Sequence, residues 1–182
     1  MRNAIIAFKS PLRFDDILRS QVVYSVSAFD KLLHDLIRIG MVATFCGTRS
    51  PTTKYRSEAI SIQLHAELVE ATIPPKEYLF EQEVIRRLRI QSYQDPIKVA
   101  DGLSLIWDES QKWEKISSKM GYDPHSVKTK LKLISTRRNA IVHEADTDPV
   151  THKKNTVTRE DANDITNFIE DCGVAIADLL VT

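Results

Sequence analysis

Apolar residues recur at intervals of three and four near the start of the chain, and this spacing constrains the fold more than any other feature. The stretch PLRFDDILRSQVVYSVSAFDKLLHDLIRIGMVATF (11–45) places on one side Phe14, Leu18, Val22, Phe29, Leu32, Leu36 and Ile39. Residues at this spacing share one face of an α-helix, whereas the residues of a half-buried strand alternate. We therefore predict one long helix after Pro11, with Asp15 and Asp16 in its first turns.

The rest of the chain predicts further helices between turn-forming stretches. We predict a loop over 46–56 and helices over 57–72 and 76–91. Residues 95–120 are predicted to form two short helices around Trp107 and Trp113, the second of which ends at Gly121. Within 57–72, Ile60, Ile62 and Leu64 could instead alternate as a strand. Two capped helices follow, one over 124–145 with Asp123 as N-cap and Pro124 first, and one after the capping box of Thr158 and Asp161.

Length and composition agree with a single domain, and the predicted helices with an all-α fold. A chain of 182 residues fits one domain, residues 1–182, and can bury a core without disulfides or metal. Five glycines and seven prolines are too few for long flexible linkers, and no internal repeat is evident. We predict an all-α helical bundle with extra short helices.

Several classes of function are excluded by what the sequence lacks. Cys46 and Cys172 form no CxxC pair for zinc or redox chemistry, and lone thiols are typical of a reducing compartment. The N-terminal apolar run is too short for a signal peptide, and no run approaches the roughly 20 residues that span a bilayer. No Gly-rich phosphate loop or serine nucleophile elbow occurs. We expect a cytoplasmic protein with no metal, no organic cofactor and no membrane partner.

The helix predicted over 124–145 interrupts its own apolar face. Arg138 falls on the same side of an ideal helix as Val127, Leu131, Ile134, Ile141 and Ala145. An arginine there must be paired, extend its head to the surface, or line a cleft. Residues 127–138 contain no acid and five cations, Lys128, Lys130, Lys132, Arg137 and Arg138, in a chain of zero formal net charge. Such a strip is typical of phosphate contact, although a solvated helix face would also account for it.

The hexapeptide Arg138-Asn139-Ala140-Ile141-Val142-His143 resembles the Arg-x-x-x-x-His signature of the HEPN superfamily. A wider similarity to the RiboL-PSP-like HEPN branch covers MGYDPHSVKTKLKLISTRRNAIVHEAD (120–146) and the early helix VYSVSAFDKLLHDLI (23–37). Between these two stretches the similarity is weak. The resemblance implies an all-α bundle of the HEPN type that forms a homodimer, with the paired motifs lining one cleft.

The resemblance also implies a metal-independent endoribonuclease in which a ribose 2′-hydroxyl attacks the adjacent phosphate. His143 then acts as general base or acid, Arg138 stabilises the phosphate charge, and Asn139 orients the histidine or holds a phosphate oxygen. Arg138 and His143 lie about 140° apart around an ideal helix, so they converge only through the reach of the arginine or between two copies. The implied partners are RNA, a second copy with a composite active site, and an antitoxin or activating partner of a bacterial toxin or phage-defence effector.

Further residues are candidates for supporting this centre. Resembling families place an acid in the early helix, so Asp30 is expected to pair with Arg138 or to orient His143. An exposed polar pair of Asp30 with His34 is the alternative. Arg137 adds positive charge beside Arg138. The candidates for RNA binding are Lys128, Lys130, Lys132, Arg49, Lys54 and Arg56, of which the last three could instead belong to an ordinary polar loop.

A non-catalytic HEPN-like dimerisation or RNA-binding module is the alternative function. Such a scaffold has no need of an arginine and a histidine at this spacing, so the intact motif favours catalysis. A metal phosphohydrolase of the HD class is set aside, because its pattern needs a histidine before His34 and none occurs. We therefore expect an RNA-cleaving enzyme.

Overall fold

The computed structural model describes the backbone of residues 11–181 and the side chains of residues 14–180. Within these bounds the chain forms eight α-helices and a single isolated β-bridge, which confirms the predicted all-α fold. The helices are α1 Pro11–Phe45, α2 Thr53–Ser57, α3 Ile62–Glu70, α4 Lys76–Leu88, α5 Pro96–Leu103, α6 Lys112–Met120, α7 Pro124–His143 and α8 Arg159–Val181. Among residues 11–181, none of the helices combines the length and the hydropathy that a membrane-spanning segment requires. Residues 1–10, which include the run considered as a signal peptide, lie outside it.

The capping residues predicted from the sequence do bound helices in the structure. Asp123 accepts a hydrogen bond from the Ser126 backbone N–H at 2.9 Å and begins α7. Before α8, the Asp161 N–H donates to Thr158 Oγ1 at 3.0 Å, and the Thr158 N–H donates to Asp161 Oδ2 at 3.1 Å. Gly121 ends α6 with φ 76°, a left-handed conformation that glycine adopts without steric cost. These signals act over three or four residues, which is why the sequence alone revealed them.

Two predicted helices end earlier than expected, α4 at Leu88 instead of residue 91 and α7 at His143 instead of residue 145, so Ala145 lies outside α7 and is exposed. Three further stretches differ from the prediction. A short helix, α2, lies at the end of the predicted loop, because Thr52 Oγ1 accepts from the Tyr55 N–H and caps it. Over 57–72 the helix begins only at Ile62, where Ser61 is the N-cap, and the alternative of a strand there is wrong. Trp107 lies between α5 and α6 rather than within a helix.

Helix α1 lies at the centre of the bundle and packs against α8, α4, α7 and α5. It runs parallel to α8, since Gln21 donates to Asn163 at 3.1 Å and residue 32 lies beside residue 173. Helix α7 runs in the opposite direction, and Ile141 near its end packs with Leu18 and Val22 near the start of α1. The Arg138–His143 motif therefore lies beside the first turns of α1.

Candidate active site

The motif occupies the last turns of α7, where the helix leaves the apolar core. Val127, Leu131 and Ile134 are buried, whereas none of residues 135–143, all of them described, is fully buried. Arg138 is half-buried, and Asn139 and His143 are exposed. Arg138 Nη1 donates to Asn139 Oδ1 at 3.1 Å, while its buried Nε has no hydrogen-bond partner in the described part of the chain. Nη2 donates to none of the described residues, so the guanidinium keeps donors at its Nη groups for an anionic ligand.

Arg138 and His143 do not converge within one chain. Helix α7 continues through both residues, which places them about 140° apart around its axis. Among the described residues, none forms a hydrogen bond or ion pair with the imidazole of His143. A centre that uses both side chains therefore requires a substrate at the helix edge or a second copy of the chain.

The expected pairing of Asp30 with the motif does not occur within the chain. Asp30 instead accepts a hydrogen bond from the backbone N–H of Tyr93, and its Oδ2 lies 3.8 Å from Nε2 of His34. The reason is position along α1, because the end of α7 lies near Arg19, three turns or about 16 Å before Asp30. Asp30 and His34 line a separate cavity of about 420 Å³. In residues 11–181 no three His, Cys, Asp or Glu side chains gather so as to hold a metal ion.

A buried ion cluster that the sequence did not predict lies directly behind the motif. Asp146 is fully buried, and its Oδ2 accepts hydrogen bonds of 2.8 Å from Arg19 Nε and from Arg137 Nη2. Asn155 Nδ2 donates to Asp146 Oδ1 at 3.2 Å. We call these four residues the Asp146 clamp. No sequence signal pointed to it, because Arg19 and Asp146 are 127 positions apart. The guanidinium of Arg137, a predicted supporting residue, is bound within the protein.

The segment between the two ends of the clamp is a small hairpin with its own internal bonds. Thr147 and Lys154 form the β-bridge, and the Asn155 N–H donates to the Asp146 carbonyl at 2.8 Å. At its tip, Asp148 Oδ1 accepts from the Thr151 N–H at 2.6 Å, a bond that lowers the pKa of the Asp148 carboxyl. The hairpin 147–154 is thus held in place next to the end of α7.

Four exposed polar residues follow one side of α7 and end at the motif. They are Lys128, Lys132, Asn139 and His143, which we call the exposed stripe. Their spacings of four, seven and four residues place them within about 60° around the helix axis and over about 22 Å. Neither lysine has an ion-pair partner among the described residues. The stripe therefore offers free positive charge that leads toward His143.

Other cations that we expected to bind RNA are paired within the protein. Lys130 lies 2.8 Å from Asp164 Oδ2, and its ammonium group is 4.9 Å from the centre of the Phe168 ring. Lys54 forms an ion pair with Asp101. Both lysines are therefore less available to phosphate than those of the exposed stripe.

The segment between α1 and α3, which contains α2, lies near Lys128, at the opposite end of the exposed stripe from the motif. Asp101, the partner of Lys54, lines a cavity of about 490 Å³ together with Lys128. The guanidinium groups of Arg49 and Arg56 have no ion-pair partner in the described part of the chain. The structure thus brings Lys54 close to the stripe, but the charge of Lys54 is already compensated by Asp101.

Comparison with known proteins gives a family but no individual relative. A sequence model of the RiboL-PSP-HEPN family matches residues 2–182, which include both the motif helix and the early helix. No curated protein and no solved structure matches the sequence significantly. The family match covers nearly the whole chain and confirms the resemblance seen in the motif. The chain belongs to the RiboL-PSP-HEPN family.

Proposed function

We propose that the protein is an endoribonuclease that cuts single-stranded RNA without a metal or an organic cofactor, at a centre of Arg138, Asn139 and His143. The observation that carries the proposal is the separation of free from paired side chains on α7. Among the described residues, Lys128, Lys132, Arg138 and His143 have no carboxylate partner, whereas Lys130 and Arg137 pair with carboxylates. Free cations on one side of a helix in a chain of zero net charge are suited to an RNA backbone.

The proposed reaction is an attack by RNA on its own backbone. A base removes the proton of a ribose 2′-hydroxyl, whose oxygen bonds to the adjacent phosphorus. The bond to the 5′-oxygen breaks, an acid protonates that oxygen, and a 2′,3′-cyclic phosphate remains. His143 performs one of these proton transfers, since imidazole exchanges protons near neutral pH. Arg138 donates to the phosphate oxygens as their charge grows, and Asn139, which accepts a bond from Arg138, has N–H donors left for the same phosphate.

A second copy of the chain completes the proposed centre. Arg138 and His143 point about 140° apart in one chain, and one imidazole performs only one of the two proton transfers at a time. Two motifs that face each other place two imidazoles and two guanidinium groups around one phosphate. The proposal therefore includes a homodimer with a composite active site.

The proposed biological role is that of a cytoplasmic bacterial toxin or phage-defence effector, held in check or activated by a protein partner. Family membership supports this role by analogy. The cysteines Cys46 and Cys172 are both free thiols, as is usual in a reducing compartment. We further propose that residues 1–182 form one domain, since α1 near the start and α8 near the end pack against each other.

The test is cleavage of a labelled single-stranded RNA in EDTA by wild type, Arg138→Ala, His143→Ala and the control His65→Ala. His65 is exposed on α3, outside the motif, so its substitution removes an imidazole without changing the centre. Circular dichroism checks that each variant is folded. We expect wild type and the control to cut, and both motif variants to lose at least about a hundredfold in rate. Cleavage that survives in a folded motif variant contradicts the role of that residue.

A non-catalytic HEPN-like module for dimerisation or RNA binding is the second candidate. One observation favours it, because a single chain does not bring Arg138 and His143 together and binding needs no such convergence. A module of this kind binds RNA equally well as wild type and as His143→Ala, and neither protein cuts it.

Mixing the two motif variants tests the composite site. Folded Arg138→Ala and His143→Ala chains are combined under conditions that exchange subunits, and cleavage is compared with that of each variant alone. If one copy supplies Arg138 and the other supplies His143, the mixed dimer regains part of the wild-type rate. If both residues must come from the same copy, mixing restores nothing.

A further inference from the structure

We propose that Arg19 and Asp146 are positioning residues, which fix the last turns of α7 through the Asp146 clamp and so set where Arg138 and His143 meet RNA. The inference rests on the proposed cleavage, since it concerns the same motif. Neither residue lies in the signature hexapeptide. Arg19 comes from the opposite end of the chain.

The apolar core contributes few contacts to the last turns of α7, so other interactions must stabilise them. No residue of 135–143 is fully buried, and the apolar contact made by the half-buried Ile141 is with Leu18 and Val22. Helix ends with few buried contacts open locally at low free-energy cost. The motif thus lies in the part of α7 that is most prone to fraying.

The clamp ties this part of α7 to two other segments. Arg19 belongs to α1 and donates both to Asp146 Oδ2, at 2.8 Å, and to the Asn155 carbonyl, at 2.6 Å. Arg137 belongs to α7 and donates to the same carboxylate at 2.8 Å and to the Thr156 carbonyl at 3.0 Å. One buried carboxylate therefore joins the start of α1, the end of α7 and the chain that leads into α8.

The turn that brings this carboxylate under α7 has an unusual backbone. Ala145 and Asp146 have φ values of 51° and 56°, a left-handed region that residues with a side chain rarely adopt. The Asp146 N–H donates to the Ala140 carbonyl at 2.9 Å, so the chain folds back against the last turn of α7. Such a backbone persists only when its surroundings over-determine it, and the clamp supplies those contacts.

What the clamp provides beyond stability is orientation. Burying the charged groups of Arg19 and Asp146 carries a desolvation cost that offsets much of their attraction, and apolar residues of similar size could hold a helix end as well. Planar guanidinium groups on one carboxylate, in contrast, fix direction as well as distance. Because Arg137 is fixed, the rotation of α7 is fixed, and with it the directions of Arg138, about 100° further round, and of His143.

The test compares three clamp variants with one matched control. The variants are Asp146→Asn, the conservative Arg19→Lys, and the mild Asn155→Ala, which leaves both arginines on the carboxylate. The control is Gln21→Ala, which removes the hydrogen bonds of Gln21 to Asn163 and Thr166 between α1 and α8 without touching α7. Two measurements are made on each protein: amide hydrogen exchange over 127–134 and 135–146, and RNA cleavage resolved into kcat and KM.

We expect exchange over 135–146 to become at least about tenfold faster in Asp146→Asn, with 127–134 still protected. Its kcat falls at least about tenfold with little change in KM, because RNA still binds the stripe while the reacting groups are misplaced. Arg19→Lys, which keeps the charge but loses the planar guanidinium, falls between Asp146→Asn and wild type. Asn155→Ala, which keeps both arginines in place, changes less than Arg19→Lys, and Gln21→Ala matches wild type. A uniform loss of protection throughout α7 would show a merely structural role and overturn the proposal.

Two further outcomes also decide the question. If Asp146→Asn fails to fold, Arg19→Lys carries the test by itself, and wild-type exchange and kcat in this folded variant overturn the proposal. If wild type cuts no RNA, the proposed cleavage is wrong, and the role of the clamp is then tested by amide hydrogen exchange alone. Faster exchange confined to 135–146 then supports the clamp as the device that orders the motif, and unchanged exchange refutes it.

Discussion

Arg137 Nη2 donates a 2.8 Å hydrogen bond to the buried carboxylate of Asp146. The next residue, Arg138, has no carboxylate partner among the described residues. Neighbouring side chains on a helix point about 100° apart, so one arginine reaches the clamp and the other reaches the helix edge. Two adjacent arginines of α7, one just before the motif and one within it, therefore have different tasks, the first in holding the fold and the second in meeting a ligand.

Alanine substitution distinguishes these two arginines in stability. Arg137→Ala lowers the free energy of unfolding by about 2 kcal/mol, since a hydrogen bond to a buried charge is lost. Arg138→Ala changes it by less than about 0.5 kcal/mol, because its hydrogen bond is to an exposed neighbour. Urea unfolding followed by circular dichroism measures both. Equal losses in the two variants contradict the division of tasks.

Binding of RNA depends on the lysines of the exposed stripe more than on Lys130. We expect Lys132→Ala to reduce the slope of log affinity against log salt by about 1, because one phosphate contact is lost. Lys130→Ala leaves the slope nearly unchanged, since Lys130 is paired with Asp164. Both are measured in the His143→Ala background, so that RNA stays intact during titration. A larger effect of Lys130 refutes this use of the stripe.

The start of the motif helix depends on its N-cap. Asp123→Ala lowers the free energy of unfolding by about 1 kcal/mol, because the Ser126 N–H loses its 2.9 Å acceptor. His125→Ala is the control, since His125 is exposed in the same first turn and is not the cap. Thermal and urea unfolding compare the two, and similar stabilities would argue against a role for the cap.

The two thiols differ in reactivity. Cys46 is exposed, whereas Cys172 is buried, and burial together with the nearby charge of Asp171 raises the pKa of Cys172 to about 12. The thiolate is the reactive form, so iodoacetamide at pH 8 alkylates Cys46 in the native protein and Cys172 only after unfolding. Mass spectrometry of wild type and Cys46→Ser measures this. Alkylation of native Cys46→Ser at the rate of wild type contradicts the packing of α8.

Acid weakens the ion pairs of α4 in a defined range of pH. Hydrogen bonds from Arg86, then Arg87, lower the pKa of Glu83 from 4.5 to about 2. A carboxyl whose pKa is lower in the folded state stabilises the fold above its unfolded pKa, and this contribution is lost as pH falls toward the folded value. The stability difference between wild type and Glu83→Gln therefore shrinks between pH 4.5 and about 2. A difference that stays constant over this range refutes the pairing.

Much of the fold was determined by the sequence itself. The long helix α1, the cap at Asp123, the capping box before α8 and the left-handed Gly121 were all predicted, and the structure confirms them. The predicted buried face of α1 was only partly right, because its second half buries Leu33, Ile37 and Met41 and leaves Ile39 exposed. These features depend on residues within one or two helical turns, so they can be recognised without knowing how the chain packs. The motif, too, was visible as an arginine on an apolar face, and the family match confirms the resemblance. The catalytic roles of Arg138, Asn139 and His143 stay predictions.

Only the tertiary structure decided which charged groups meet. Arg19 binds Asp146, which lies 127 positions away in the sequence. Asp30 contacts Tyr93 and His34 instead of the motif. Lys130 is paired with a carboxylate, whereas Lys132 has no ion-pair partner among the described residues. The physical reason is that an ion pair depends on distance and burial, which are set by how α1, α7 and α8 pack. Sequence spacing shows which side of a helix a side chain occupies, but the partner on that side comes from a remote part of the chain.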